Sequence, residues 1–329
     1  MAQVISLREA EQQPGRCRAV TAGGKRCRNR ATGDSGFCRI HLPSKAERIG
    51  PFDAAAIRDL LEFGRRRLTG EYEVDDFGFD AELVEKFWAP LVRPLGKYYW
   101  RVDWRGIGNV PSEGAALLVS NHAGTLPLDA LVMKFGVYEE HPAHRHVRLL
   151  AADLPFRMPF IGPMARKIGN TLATGDDALR LLASGELVGV FPEGYKGVGK
   201  GWRERYRLQR FGRGGFIELA LRARVPIVPV AIVGSEETYP MIGDAKLVAR
   251  VFGLPYFPVT PFFPWLGPLG AIPLPSKWIV EFGEPIPLAD QDPEAWQDAM
   301  LVFDLTDRIR DSIQQMLYRN LMSRRNAFF

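Results

Sequence analysis

Short apolar runs that alternate with amphipathic stretches restrict the fold of this chain more than any other feature of its sequence. There are five such runs, at residues 115–120, 147–151, 187–191, 227–233 and 278–282, and each leads into a turn that contains polar residues or glycine. Stretches with helical periodicity lie between them, at residues 128–135, 176–183 and 215–224. Because strands that alternate with helices pair in parallel through helical crossovers, we expect an α/β fold with a mixed, mostly parallel sheet flanked by helices.

The chain has 329 residues, which is enough for one large domain and a small appendage. We predict three parts: a small basic Cys/His-rich module at residues 1–48, a helical, membrane-proximal segment at residues 49–97, and the main domain at residues 98–329. Helical periodicity at residues 54–68 and 81–97 supports the middle part. A long amphipathic helix is predicted at residues 293–322.

The formal net charge of +5 is concentrated in the N-terminal module. Residues 1–48 hold ten Lys/Arg against four Asp/Glu, so the rest of the chain is close to neutral. Residues 1–16 lack the apolar run of a secretory signal, and no window of about eighteen residues has the pattern of an uninterrupted spanning helix. These observations favour a cytoplasmic start.

Four soft metal ligands lie in the N-terminal module: Cys17, Cys27, Cys38 and His41. So short a segment builds little core of its own, which is the usual situation of a structural zinc site. The wide spacings between the cysteines are unlike a common zinc finger, and reduced, unliganded thiols are the alternative. The surrounding basic residues also fit an anionic partner, but Phe37 is the only aromatic residue among them, which disfavours binding to nucleic-acid bases.

Two apolar runs lead into residues that can do chemistry, at the strand ends where α/β sheets bind ligands. Run 115–120 is followed by His122, with Asp129 seven residues further on. A histidine takes up a proton near neutral pH, and a carboxylate can fix its tautomer and stabilise its charged form. The pair could therefore activate an alcohol. The alternative is a surface turn at His122, with Asp129 favouring the first turn of the helix after Pro127.

Run 187–191 leads into a second notable turn, Phe191-Pro192-Glu193-Gly194. By itself this is ordinary turn material, in which Gly194 supplies a positive φ. A basic run follows: residues 196–213 contain seven Lys/Arg against one acidic residue. Most such runs are solvated faces. Its position also suits the phosphates of coenzyme A or lipid headgroups, so Lys196 and Arg213 are candidate substrate-binding residues.

Three ordered blocks resemble the glycerophospholipid acyltransferase superfamily, which includes lysophosphatidate acyltransferases and a monoacylglycerol/diacylglycerol acyltransferase-like branch. They are Asn121-His122 with a following aspartate, Phe191-Pro192-Glu193-Gly194, and Val225-Pro226-Ile227-Val228-Pro229. The resemblance covers the chain from about residue 100 to the C-terminus and makes residues 98–329 the expected catalytic domain.

The resemblance implies transfer of a fatty acyl group from acyl-CoA or acyl carrier protein to the hydroxyl of a glycerolipid, such as lysophosphatidate or a mono- or diacylglycerol. It implies that His122 is the general base, that Asp129 orients it, and that the second block binds the acceptor through Phe191, Pro192, Glu193 and Gly194. Neither a redox cofactor nor a serine or cysteine nucleophile is implied.

The sequence departs from the family pattern in two places. The first block of the family is His-x4-Asp, whereas Asp129 follows His122 with six residues between, and Pro127 stands where the family has its aspartate. An arginine that reads the acceptor phosphate is absent from residues 168–175. Residues 212–221 and 264–270 look more like the monoacylglycerol/diacylglycerol branch, so a neutral glyceride competes with lysophosphatidate as acceptor.

Three segments predict contact with a membrane lipid surface: the aromatic stretch 87–104, the uncharged segment 251–276 and the C-terminal helix. Segment 251–276 carries seven prolines, which lack the N–H that a spanning helix must pair, so it is expected to be an interfacial or pocket-lining loop. For the C-terminal helix we prefer packing against the sheet. We expect a peripheral or monotopic protein at the cytoplasmic face of a membrane.

Two other functions compete with acyl transfer. A serine hydrolase is disfavoured because the chain has no Gly-x-Ser-x-Gly motif. A non-catalytic lipid-binding protein, with a zinc- or nucleic-acid-binding N-terminal module, would keep the fold and the apolar loop. The two remaining hypotheses differ in what replacing His122 would do.

Overall fold

The computed structural model describes Cys27 and residues 54–328. The chain divides into two compact units, Met1–Tyr72 and Glu73–Phe329. In the first unit helix α1 is Ala54–Thr69, and Cys27 is buried. The other candidate zinc ligands, Cys17, Cys38 and His41, lie outside the described residues, so the zinc site stays a prediction.

The second unit begins with a helical segment made of α2 (Ala81–Leu83), a π-helical turn (Val84–Trp88), α3 (Ala89–Pro94) and a second π-helical turn (Leu95–Tyr99). Its strands are β1 (Asp103–Arg105), β2 (Ala116–Ser120), β3 (Val147–Ala151), β4 (Asn170–Leu172), β5 (Leu187–Val190), β6 (Ile227–Val233), β7 (Gly243–Asp244), β8 (Pro258–Val259) and β9 (Ile279–Phe282). Its other helices are α4 (Leu128–Glu140), α5 (Asp153–Arg157), α6 (Ile161–Lys167), α7 (Gly175–Ala183), α8 (Tyr195–Val198), α9 (Gly215–Ala223), α10 (Ser235–Thr238), α11 (Lys246–Val251) and α12 (Ala299–Ser323).

Seven strands form one sheet in the order β1-β9-β6-β2-β5-β3-β4. Only the β6–β9 pair of this sheet is antiparallel. Strands β7 and β8 form a separate antiparallel pair. The prediction of an α/β fold with a mixed, mostly parallel sheet flanked by helices is confirmed.

Two hydrophobic cores lie on opposite faces of this sheet, because successive side chains of a strand point to opposite sides. Leu117 and Val119 of β2 pack into one core with α7, α9 and α12. Ala116 and Leu118 pack into the other core with α4. Every residue of β2 is buried, as expected for a central strand covered on both faces.

The predicted strand bounds agree with the structure to within one residue, and β3 and β6 match fully. Strands β1 and β4 were not predicted because each has three residues and carries polar side chains. Helix α12 begins later than predicted because Asp298 caps it: the Asp298 side chain accepts from Met300 N at 2.9 Å and Leu301 N at 3.2 Å. Among the described residues, no helix is both long and apolar enough to cross a bilayer.

Candidate active site

The candidate base and the Phe191–Gly194 turn meet at the carboxyl ends of two neighbouring parallel strands. Strand β2 pairs with β5 so that Val119 lies opposite Val190. The residues that follow each strand therefore lie side by side. The backbone N–H of His122 donates to Glu193 Oε1 at 2.8 Å, which ties the two turns together.

Asn121 fixes the direction in which the chain leaves β2. Its Oδ1 accepts from Ile232 N at 2.7 Å, and its Nδ2 donates to Ile232 O at 3.0 Å. The buried amide thus continues the pairing of β2 with β6 beyond the end of the strand. Sequence reasoning assigned this residue no role, although it directly precedes His122 in the first block.

Asp129 lies against the ring of His122 despite the unusual spacing. His122 Nδ1 and Asp129 Oδ2 are 2.8 Å apart. The Asp129 carboxylate is fully buried and also accepts from Ala123 N and Ala130 N, each at 2.8 Å. Because an ionised carboxylate only accepts hydrogen bonds, Nδ1 carries the proton in neutral His122, and Nε2 presents a lone pair. The side chain is 13% exposed, and Nε2 has no partner among the described residues.

Two successive γ-turns accommodate the two extra residues between His122 and Asp129. Leu126 N donates to Gly124 O at 2.6 Å, around Thr125 with a φ of 67°. Leu128 N donates to Leu126 O at 2.7 Å, around Pro127 with φ −76° and ψ 48°. Such three-residue turns shorten the path of the chain, so the Asp129 carboxylate in the first turn of α4 reaches the ring.

This loop is held from several sides. Thr125 N donates to Val198 O at 3.1 Å, and Thr125 Oγ1 donates to Tyr239 O at 3.1 Å. The hydroxyl of Tyr256 donates to Thr125 O. Burial, followed by the charge of Asp129, raises the pKa of Tyr256, so the phenol keeps its proton for this bond. Segment 251–276 therefore contributes directly to the geometry of the site.

Two glycines permit the close packing around His122. At Gly124, with φ +101°, a Cβ would lie 2.6 Å from the carbonyl oxygen of Ser235. At Gly197 a Cβ would lie 2.6 Å from the carbonyl oxygen of His122. Larger residues at these positions would displace the loop that carries the ring.

The carboxylate of Glu193 is occupied by groups of the chain itself. Besides the bond from His122 N, its Oε2 accepts from Gln209 N at 2.6 Å and lies 3.3 Å from Lys200 Nζ. Lys200 Nζ also lies 3.2 Å from Glu236 Oε1, and all three side chains are buried. Lys200 is therefore not part of a solvated basic face, contrary to what the basic run suggested. Neither its burial nor its pairing with Glu236 had a local signal in the sequence.

Replacing Glu236 with glutamine is expected to remove a pH dependence of stability. One lysine compensates only one of the two buried carboxylates, and burial raises the pKa of Glu236 from 4.5 to about 7. Between those values the folded chain holds a proton that the unfolded chain has released, so the free energy of unfolding of the wild type falls as pH rises from 4.5 to 7. Urea denaturation at several pH values measures this. A difference between Glu236→Gln and wild type that stays constant over this range would contradict it.

The other predicted binding residues surround the site unevenly. The Phe191 ring lies 4.5 Å from the His122 ring, centroid to centroid. Pro192 is half-buried, Gly194 has the expected positive φ of 53°, and Lys196 is exposed. Arg213 is exposed and lines a cleft of about 440 Å³ beside α9 and α12. The preceding residue, Gly212, donates its N–H to Pro192 O at 3.4 Å and so connects this segment to the Phe191–Gly194 turn. Within the described part of the chain, no cluster of His, Cys, Asp and Glu fits a metal ion.

Comparison with known proteins identifies the family. The model of the family described as Acyltransferase matches residues 101–233, which span His122, Asp129, Glu193 and strand β6. An uncharacterized protein of Mycobacterium tuberculosis is 58% identical over 276 residues, covering 84% of this chain and 77% of that protein. The chain belongs to the acyltransferase family. This confirms the resemblance to the glycerophospholipid acyltransferase superfamily. It also confirms the prediction that the protein is an enzyme.

More distant proteins are similar to this acyltransferase over much of its length. A Gallus gallus protein named DGAT1/2-independent enzyme synthesizing storage lipids is 24% identical over 264 residues, covering 79% of this chain and 72% of its own. The crystal structure of the 1-acyl-sn-glycerophosphate (LPA) acyltransferase PlsC from Thermotoga maritima has a TM-score of 0.47 and 17% identity, covering 75% of this chain and 85% of that one.

Proposed function

We propose that this acyltransferase moves a fatty acyl group from an acyl thioester, acyl-CoA or acyl carrier protein, to the hydroxyl of a glycerolipid, with His122 as general base. The 2.8 Å contact between His122 Nδ1 and Asp129 Oδ2 is the observation that carries the proposal. It leaves Nε2 as the proton acceptor at the edge of the sheet where α/β folds bind ligands.

The proposed reaction has two proton transfers. Nε2 of His122 removes the proton of the acceptor hydroxyl as its oxygen attacks the thioester carbonyl carbon. The buried Asp129 carboxylate stabilises the resulting imidazolium through Nδ1. The tetrahedral intermediate collapses with cleavage of the C–S bond, and the imidazolium returns its proton to the departing thiolate. An ester and a free thiol result, and His122 is regenerated.

Glu193 acts in this proposal by holding the base. Its bond to His122 N and its ion pair with Lys200 fix the backbone from which the ring projects. Both carboxylate oxygens have partners within the chain, so we assign Glu193 a positioning role, with Phe191 and Gly194 as the parts of the turn open to substrate.

We further propose a neutral glyceride, a mono- or diacylglycerol, as the acceptor in preference to lysophosphatidate. Residues 168–175, which include β4, contain no arginine to read an acceptor phosphate. The distant relative from Gallus gallus, whose name refers to the synthesis of storage lipids, supports the same class.

The proposed setting is the cytoplasmic face of a membrane, with the enzyme bound peripherally or as a monotopic protein. Segment 251–276 supports this because its large apolar side chains Trp265, Leu266 and Leu269 are exposed. Aromatic and aliphatic side chains of this kind can sit at the headgroup boundary without spanning the bilayer.

Thiol release from a labelled long-chain acyl thioester tests the proposed function. Wild-type enzyme is assayed with detergent-dispersed monoacylglycerol, diacylglycerol and lysophosphatidate, using acyl-CoA and acyl carrier protein as alternative donors. We expect ester formation with a neutral glyceride at a higher kcat/KM than with lysophosphatidate. Preference for lysophosphatidate would overturn the acceptor assignment, and no ester with any pair of substrates would overturn the proposed function.

A further inference from the structure

Helices α5 and α6 form a short hairpin that presents an apolar tip to solvent. Four large apolar side chains on it are exposed: Met158, Phe160, Ile161 and Met164. We call this set the apolar tip. Phe160 is 90% exposed, and contiguous exposed apolar groups of this size mark interaction sites more often than single surface residues do.

The backbone holds Phe160 in this position at a cost. Its φ of 64° and ψ of −39° belong to a γ-turn, closed by Ile161 N donating to Pro159 O at 2.8 Å, and this conformation is strained for a residue with a side chain. Gly162 lets the hairpin close tightly, because a Cβ there would lie 2.6 Å from Phe156 O. Both the strained backbone and the exposure of the aromatic ring to water raise the free energy of this turn, and a partner that buries the ring would remove the second cost.

The hairpin adjoins the candidate active site. The side chain of Tyr195, the residue after Gly194, is hydrogen-bonded to the backbone of Leu154 in α5. Tyr195 also lies close enough to Tyr256 for the two hydroxyls to influence each other, and Tyr256 holds the loop after His122 through Thr125. A partner of the apolar tip would therefore sit next to the acceptor site.

The charges around the apolar tip favour an anionic partner. Arg157 pairs with Asp153 at 2.7 Å on the surface. Arg166 at the end of α6 and Lys196 beside Tyr195 are exposed and have no carboxylate partner among the described residues. Apolar side chains flanked by uncompensated basic groups are typical of segments that insert at the surface of an anionic bilayer.

We propose that the apolar tip inserts into the headgroup region of an anionic phospholipid bilayer and docks the active site on it. The inference rests on the proposed function for its purpose, since a glycerolipid acceptor lies in a bilayer. The test of the inference is independent of the proposed function, because vesicle binding requires no turnover.

Vesicle sedimentation with the full chain provides the test, using phosphatidylcholine vesicles with and without phosphatidylglycerol. Phe160→Gly removes the ring and relaxes the turn, so it is expected to keep or raise the thermal stability while lowering the affinity for phosphatidylglycerol vesicles by at least about tenfold. Phe160→Trp is expected to bind at least as well as wild type. Phe303→Ala is the matched control, because Phe303 is 55% exposed on α12, which packs on the face of the sheet opposite α4.

Two outcomes would overturn the proposal. The first is wild-type vesicle binding by Phe160→Gly; if the oligomeric state of this variant also changes, the partner is a second copy of the chain. The second is equal wild-type binding to vesicles with and without phosphatidylglycerol. Turnover of detergent-dispersed acceptors is expected to be unchanged in Phe160→Gly. If the proposed function is wrong, the wild-type enzyme will show no turnover in that assay, whereas vesicle binding will be unaffected.

Discussion

His122→Ala is expected to lower the turnover of acyl thioester by roughly 10³-fold or more, because the substitution removes the group that takes the proton from the acceptor hydroxyl. The ring is partly exposed at the end of β2; within the described part of the chain its hydrogen bond goes to Asp129, and it packs against the Phe191 ring. The protein should therefore remain folded, and the loss should appear in kcat. Thiol release at saturating acceptor measures it.

His144→Ala is the matched control for this variant. His144 is exposed, and its ring bonds only to the carbonyl oxygen of Tyr138 among the described residues. Its turnover should stay within about twofold of wild type, since surface substitutions away from a site usually have small effects. Retention of more than a tenth of wild-type turnover by His122→Ala would argue against its role as base.

Asp129→Asn is expected to lower kcat by about 10²-fold or more while changing KM much less. An amide of the same shape has one acceptor oxygen and one donor nitrogen, so it cannot satisfy His122 Nδ1, Ala123 N and Ala130 N together. It also favours the wrong tautomer of the ring and cannot stabilise an imidazolium. Steady-state kinetics measure the effect.

A thermal melt separates this effect from instability. Leaving a buried donor unpaired costs about 1–3 kcal/mol, which a stable domain survives at assay temperature. If Asp129→Asn is folded and its kcat equals that of wild type, the carboxylate only fills space behind the ring. If kcat falls in the folded protein, the carboxylate acts through the base.

The strands could be predicted from the sequence where burial is complete. Strand β6 is a continuous apolar run in which every residue is buried, which is the pattern of a strand covered on both faces. Strand β3 was predicted as well, although it contains the charged Arg148 and its last two residues are only half-buried. Strand β1 could not be found because only three residues pair, and two of them, Asp103 and Arg105, are charged. Its position comes from pairing with β9, about 175 residues later, which is a contact that local periodicity does not report.

The meeting of His122 and Glu193 could be anticipated, since both follow parallel strands and such strand ends share one edge of a sheet. The pairing of His122 with Asp129 was also predicted, but the path of the loop between them was not, because it depends on two γ-turns whose geometry the residue types permit but do not require. The burial of Lys200 between two carboxylates could not be predicted from the sequence. This lysine stands in a basic run, and only the folded chain brings the carboxylates of Glu193 and Glu236 to either side of it.

In the proposed function His122 performs chemistry and does not merely line a lipid site. Comparing binding and turnover in one preparation of His122→Ala tests this role, with a non-hydrolysable acyl-CoA analogue for the equilibrium measurement. We expect the analogue to bind within about twofold of the wild-type affinity, while thiol release falls by roughly 10³-fold or more. Wild-type thiol release by a variant that also binds normally would contradict the claim and exclude His122 as the base.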